Sequence, residues 1–226
     1  MALRSPVNLY QDRGSVIVNQ PTHEPVTLEE MREHLRIDDE DEHVYLIDCI
    51  SEAREAIEEW TGLALLFQRW KLTIDRWPIG AERWWDGVQQ GSAIMLYGPN
   101  SSQSLKLPKF PVIGVHSVTT YDENSNATTI NVSNVFDIDT SQKPARMKVK
   151  FGETWPTALR ALNAIEVQYN AGYGTTANTV PRPIRRAIKL LAAYYFSNRG
   201  DGCSVGNAMQ ISGADQIMQK YQSLKV

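Results

Sequence analysis

Soft metal ligands are scarce in this sequence. Its 226 residues hold two cysteines, Cys49 and Cys203, and four scattered histidines, His23, His34, His43 and His116. None falls in Cys-x-x-Cys, His-x-x-x-His or mixed Cys/His spacing, which argues against a structural zinc site and a disulfide framework. Cys49 sits inside a helical apolar pattern and reads as a core thiol, the usual fate of free cysteine. Long apolar runs are missing too. No stretch approaches the roughly 18 to 20 residues that span a bilayer, and MALRSPVNLYQDRG lacks the apolar centre of a signal peptide. The expectation is a protein of the cell interior, or one assembled there, with no membrane partner. Repeats and low-complexity tracts are absent as well.

Signatures of catalysis are equally thin. In YNAGYGTTANTVPRPIRRAI, Gly172 and Gly174 stand between a strand-like segment and a helix, where a phosphate cradle would lie. A phosphate-binding loop, however, needs a fuller glycine pattern or a Lys-Ser/Thr pair leading straight into the helix. Here six residues intervene before Pro181–Pro183, so the glycines read as a tight, close-packed turn. The acidic run Asp38 to Glu42 lacks the glycine and distal glutamate of a calcium loop, and reads as helix cap and solvated charge. No Gly-x-Ser-x-Gly elbow occurs. No catalytic residue, metal ligand or cofactor is assigned, and an enzyme is not expected.

What the chain does have is charge, unevenly distributed. Between His23 and Gly62 lie fourteen carboxylates against three arginines, Arg32, Arg36 and Arg54, leaving twenty bases against twelve acids elsewhere. That stretch therefore carries −11 and the remainder +8, although the chain as a whole carries −3. Such a split speaks of partners and self-association rather than of fold. The acidic face is either simply solvated or meets a basic face of another copy.

Periodicity predicts an α+β protein in which a helical core is interrupted by an antiparallel β insertion. Residues 1–22 have no periodicity and read as a flexible arm. In PVTLEEMREHLRI, Thr27 is a candidate N-cap, Glu30 is spaced to close a capping box, and Leu28, Met31 and Leu35 line one face of a helix over 27–37. Asp38 or Asp39 is placed to cap a second helix over 40–61. Leu46, Ile50, Ala53, Ile57 and Trp60 make its apolar stripe, and Gly62 supplies the stop. From Leu63 the period becomes alternating: Trp70, Leu72 and Ile74 against Arg69, Lys71, Thr73 and Asp75. Further strands are expected at 94–97, 104–107, 113–121, 135–139, 146–151 and 164–169, as a meander or small barrel within a β insertion over 64–171. A turn at Asn124–Asn126 fits this pattern. A third helix over 182–198 starts at Pro181 and Pro183, with Ile184, Ile188, Leu191 and Tyr195 as its stripe and Arg182, Arg185, Arg186 and Lys189 as a basic face. Residues 200–213 read as a loose connector, and Ile217, Tyr221 and Leu224 mark a short terminal helix. One composite unit over 23–200 is expected, followed by a linker and tail over 201–226.

Three stretches in order carry a resemblance. They are PVTLEEMREHLRIDDEDEHVYLIDCISEAREAIEEWTGLALLFQRWKLTID, LPKFPVIGVHSVTTYDENS and IEVQYNAGYGTTANTVPRPIRRAIKLLAAYYFSNRG. The sequence is similar to the head–tail connector, or adaptor, proteins of tailed bacteriophages and gene transfer particles. That resemblance implies a structural virion protein of the neck, assembled in the host cytoplasm as a ring of about twelve copies beneath the portal. It also implies that DNA passes through the ring without sequence-specific binding, that a stopper or tail-completion protein follows, and that no cofactor is involved. A C-terminal tail docks onto the portal in such families, here with Ile217, Tyr221 and Leu224 as anchors. The stretch WPIGAERWWDGVQQGSAIML is longer than compact members require, and its Trp84 and Trp85 suit a contact with a neighbouring neck or tail protein. A head-to-tail ring needs two unlike, complementary surfaces on each copy. Glu52, Glu55, Glu58 and Glu59 on the second helix, and Arg182, Arg185, Arg186 and Lys189 on the third, are the candidates, unless they pair within one subunit. Two other readings are a DNA-binding packaging or regulatory protein using the basic helix, and a different neck ring such as a stopper.

Overall fold

The computed structural model describes residues 13–38, 41–78, 104–200 and 204–221. In chain order the elements are β1 (Arg13–Asn19), α1 (Leu28–Leu35), α2 (His43–Thr61), β2 (Gln68–Ile74), β3 (Leu105–Lys106), β4 (Val112–Tyr121), β5 (Ala127–Ile130), α3 (Val132–Val135), β6 (Phe136–Asp139), β7 (Arg146–Val149), β8 (Ile165–Ala171), α4 (Arg182–Ser197), α5 (Val205–Ser212) and α6 (Ala214–Met218). The class is α+β. The elements do not make one composite unit, as the sequence suggested, but two compact ones. The described residues within Met1–Val18, Arg69–Leu107 and Gly114–Asn170 form a β unit, and those within Asn19–Gln68, Pro108–Ile113 and Ala171–Val226 a helical unit. Each buries its own apolar side chains, which is the physical reason for the division.

In the helical unit, Thr27 caps α1 as its position predicts, its Oγ1 accepting the Glu30 N–H at 3.2 Å. The capping box does not close, because the Glu30 carboxylate turns instead to Arg185 and Lys189. α2 begins at His43, later than expected, and Glu42 rather than Asp38 occupies the N-cap position; Asp39 lies outside the described residues. Glu42 makes no side-chain cap bond, because its carboxylate is drawn off by Arg199 at 2.6 Å. At the other end Gly62 takes the left-handed conformation (φ 77°) and stops the helix. Leu46, Cys49, Ile50, Ala53 and Ile57 of α2 are buried with Ile184, Ala187, Ile188 and Leu191 of α4 in one apolar core. At about 1.5–3 kcal/mol for each large aliphatic side chain withdrawn from water, this stripe dominates the unit's stability.

Two local features differ from the sequence reading. The expected loose connector contains α5, capped by Ser204, whose Oγ accepts the Asn207 N–H at 3.4 Å. Its Gly206 is there for close approach, since a Cβ would stand 3.2 Å from the Trp60 ring. The terminal helix is likewise shorter than 214–226 suggested. α6 ends at Met218 and a 3₁₀ turn runs over Gln219–Tyr221, while Leu224 lies outside the described residues. The glycine pair does serve as a tight turn. Gly172 N–H donates to Pro111 O at 2.9 Å, Tyr173 N–H to Leu65 O at 3.2 Å, and Phe67 N–H to Gly174 O at 2.8 Å. Gly172 has φ 130°, and any Cβ there would overlap the Leu66 carbonyl.

The β unit holds a five-stranded sheet of order β1-β2-β8-β4-β5 and a three-stranded sheet of order β3-β7-β6. β4 pairs antiparallel with β5, placing Val118 opposite Ile130 and Tyr121 opposite Ala127. β7 pairs antiparallel with both β3 and β6. The order is not a simple meander, because β8 separates β2 from β4. Ile165, Val167, Tyr169 and Ala171 of β8 are buried, alternating with half-buried Glu166, Gln168 and Asn170. Trp77, Phe136 and Trp155 make an aromatic cluster, with ring centroids 4.3–5.8 Å apart. The expected flexible arm is, over Arg13–Asn19, the edge strand β1. Val16 and Val18 are exposed there on either side of half-buried Ile17, so apolar residues fall on both faces and the sequence lacks the polar–apolar alternation that reveals a strand. The expected strand at 94–97 lies outside the described residues.

Candidate functional site

The helical unit carries its charge in two layers, one internal and one outward. The internal layer centres on Arg54, 5% exposed. Its Nε donates to Glu24 Oε2 at 2.8 Å, its Nη1 to Glu58 Oε2 at 2.9 Å and its Nη2 to Glu55 Oε1 at 3.1 Å. Ser51 Oγ adds a bond to Glu24 at 3.1 Å. The other oxygen of Glu58 accepts the Leu65 N–H at 2.7 Å and the Gln68 amide at 2.8 Å, so one carboxylate ties α2 to the chain that leaves it. Burial pushes the Glu58 carboxyl above its ordinary range, even though Leu65 and Arg54 pull the other way. Burial also opposes the Arg54 cation, but Glu24 and Glu58 outweigh it and hold its pKa up. Glu58 is therefore a structural residue and not part of a subunit surface, which removes it from the expected acidic face.

A second internal pair explains two of the expected basic residues. Arg185 donates from Nε to Pro25 O at 2.9 Å and from Nη2 to Glu30, while Lys189 Nζ sits 3.2 Å from the other Glu30 oxygen. Burial works against the Glu30 charge, but Arg185 and Lys189 outweigh it and hold the carboxyl below its ordinary value. Arg185 and Lys189 thus join α4 to α1 within one subunit. Pairing inside the subunit does occur, but with Glu30 rather than with the acids of α2.

The outward layer is what remains. Asp48, Glu52, Glu55 and Glu59 are exposed along α2 at spacings of four, three and four, so they form one stripe, of which Glu55 belongs to both layers through Arg54. Arg182 and Arg186 are the basic residues left at the start of α4, one turn apart. One member of each set opposes its own helix dipole. Glu59 lies in the last turn of α2, beside the negative helix end, and Arg182 is the first residue of α4, beside the positive end. Each such placement costs about 0.3–1 kcal/mol at an exposed site, and like charges one turn apart add a few tenths more. At the α2 end Lys109, whose Nζ donates to Glu58 O at 3.2 Å, offsets part of that cost, and an outside group of opposite charge would offset the rest.

The remaining expected contacts fare differently. Ile217 and Tyr221 are half-buried and pack against the helical core instead of standing free as anchors. Trp84, Trp85 and Leu224 lie outside the described residues. Among the described residues no group of histidine, cysteine, aspartate and glutamate is arranged to hold a metal ion. No helix among them is long and apolar enough to cross a membrane. Cys49 is buried, and burial pushes its thiol pKa up.

The model of the phage gp6-like head–tail connector family matches residues 25–143, more than half of the chain. The chain belongs to that family. Its role is accordingly that of a structural connector. In fold, the connector is similar to a chain from the neck of an empty gene transfer agent (GTA) particle computed with C6 symmetry. The TM-score is 0.70 at 21% identity, over 94% of this chain and 97% of that one. A chain from the neck of a native GTA particle computed with C12 symmetry gives 0.65 at 21% identity, over 93% and 97%. A third, from the virion of a native GTA particle, gives 0.63 at 20% identity, over 94% and 96%. No curated protein matches the connector in sequence. The charged stripe was legible in the sequence. The division of its members into internal and outward was not, because it depends on Glu24, Glu30, Leu65 and Gln68 arriving from outside the two helices.

Proposed function

We propose that the connector closes with identical copies into a ring of about twelve in the neck of a virion. The ring joins the portal to the tail and lets double-stranded DNA pass without sequence-specific contact. The observation that carries this reading is the near-complete overlap with neck chains, one of them from a particle computed with C12 symmetry. The role is one of assembly, with no reaction and no cofactor. A stopper or tail-completion protein is the expected neighbour on the tail side, and the end of the chain beyond Tyr221 the expected portal contact.

The exposed acids Glu52, Glu55 and Glu59 are assigned to one side of each copy, and Arg182 and Arg186 to the side that meets them on the next. What supports this assignment is that the acids form one exposed stripe and that Glu59 and Arg182 each oppose their own helix dipole, the α2 end being partly compensated by Lys109. DNA phosphate is the other anion that could meet the arginines, and charge reversal separates the two. Arg182→Glu with Arg186→Glu leaves the free protein as stable as before and stops its incorporation into necks. Adding Glu52→Arg and Glu59→Arg on the same chain restores incorporation if copies pair with each other. A loss of DNA affinity with no effect on neck assembly would favour the DNA-binding reading instead.

A further inference from the structure

Phe151 is the most exposed large apolar side chain among the described residues, at 107% of its reference area. It stands in the long loop joining β7 to β8, and that loop is firmly held. Trp155 stacks on Trp77 at 4.3 Å, Trp77 Nε1 donates to Pro156 O at 3.0 Å, and Arg160 N–H donates to Tyr121 O at 3.0 Å. A turn closed by the Glu153 N–H on Lys150 O at 3.1 Å, with Gly152 at φ 88°, presents the ring. An aromatic side chain held out into water on a pinned loop loses little freedom on docking, which is the character of an interface anchor.

The helical unit contains a groove of the matching kind. It has a volume of about 350 Å³; Val26, Leu28, Ile47, Ile50 and Ala177 are its apolar lining, and Glu24 is one of four polar residues that complete it. Ile47 is 45% exposed and Val44, one turn earlier on α2, is 73% exposed. That volume is at the small end for a binding site and gives room for a single aromatic ring.

We propose that Phe151 of one copy seats in this groove of the next copy. The inference rests on the ring reading, since a closing head-to-tail contact requires two unlike surfaces on the same chain. Knob and groove are such a pair. Charge agrees with the same occupant. Lys148 is exposed on β7, just before Phe151, while Arg146 is taken up by Asp139 at 2.9 Å, and Asp48 is exposed on α2, beside Ile47.

The test uses the full chain in assembled particles. Phe151→Cys and Ile47→Cys are combined and treated with a short bismaleimide, with each single variant as control for Cys49 and Cys203. The expected result is a ladder of covalent multimers of the connector, absent from both controls. Phe151→Ala should leave the unfolding midpoint of the free protein unchanged and weaken self-association about ten- to a hundredfold. The proposal is overturned if necks that still contain the ring give no ladder, if the thiol introduced by Phe151→Cys links to a different neck protein, or if Phe151→Ala assembles normally. Necks with no ring at all would remove the ring reading, and this proposal with it.

Discussion

Replacing Arg54 with methionine tests the internal charge network directly. The guanidinium is 5% exposed and serves three carboxylates, of which Glu58 is itself buried at 7%. Methionine fills much of the same space but leaves Glu58 buried without its cation. Breaking a buried pair in this way costs about 3–5 kcal/mol, a large share of the ~5–15 kcal/mol that holds a typical domain. The sign with pH follows from Glu58. Its folded pKa is already raised by burial and rises further without Arg54, so the folded state binds the proton more tightly than the unfolded one. Stability of the variant is therefore lost as pH rises through that value, and its deficit is larger at pH ~8 than at pH ~5. Urea unfolding followed by far-UV circular dichroism at both pH values reads this. Arg54→Met combined with Glu58→Gln removes the buried charge but keeps an acceptor for Leu65 N–H and Gln68, and should recover to within about 1.5 kcal/mol of the parent. A single variant within ~1 kcal/mol of the parent at both pH values would refute the reasoning.

Gly172→Ala forces a Cβ into the Leu66 carbonyl at φ 130° and should cost roughly 2–4 kcal/mol in a denaturant melt. A loss under about 0.5 kcal/mol would mean the turn gives way easily. Glu30→Gln removes the α1–α4 ion pairs at a site about one-third exposed, and should cost about 1 kcal/mol near neutral pH. Because the folded Glu30 carboxyl lies below its ordinary value, that contribution is present above the unfolded pKa of about 4.5 and fades as pH falls through the lower folded value. The gap between variant and parent should therefore close in acid, and a gap independent of pH would contradict the assignment.

Much of the helical unit was legible in the sequence. Thr27, Gly62 and the Pro181–Pro183 start are local signals, and the i, i+3, i+4 stripes of α2 and α4 name the buried face. Where the reading failed, a distant partner had intervened. Glu30 is spaced for a capping box but is captured by Arg185, and Glu42 gives its carboxylate to Arg199 instead of its own helix. β1 and α5 escaped for a different reason. Val16 and Val18 face outward from an edge strand, and Gly206 reads as a breaker until the Trp60 ring is found beside it. The uneven charge was visible as composition alone. Sequence position cannot separate Glu58, sealed under Leu65 and Gln68, from Glu59, its exposed neighbour. Phe151 gave no signal at all, since nothing local distinguishes an exposed aromatic residue in a loop from a buried one.

The most direct test is a mass measurement and image reconstruction of the isolated neck. The account predicts a closed collar of connector copies, about twelve per neck, with each copy offering one surface to its left neighbour and a different one to its right. One copy per neck, or two copies joined through the same surface, would contradict it.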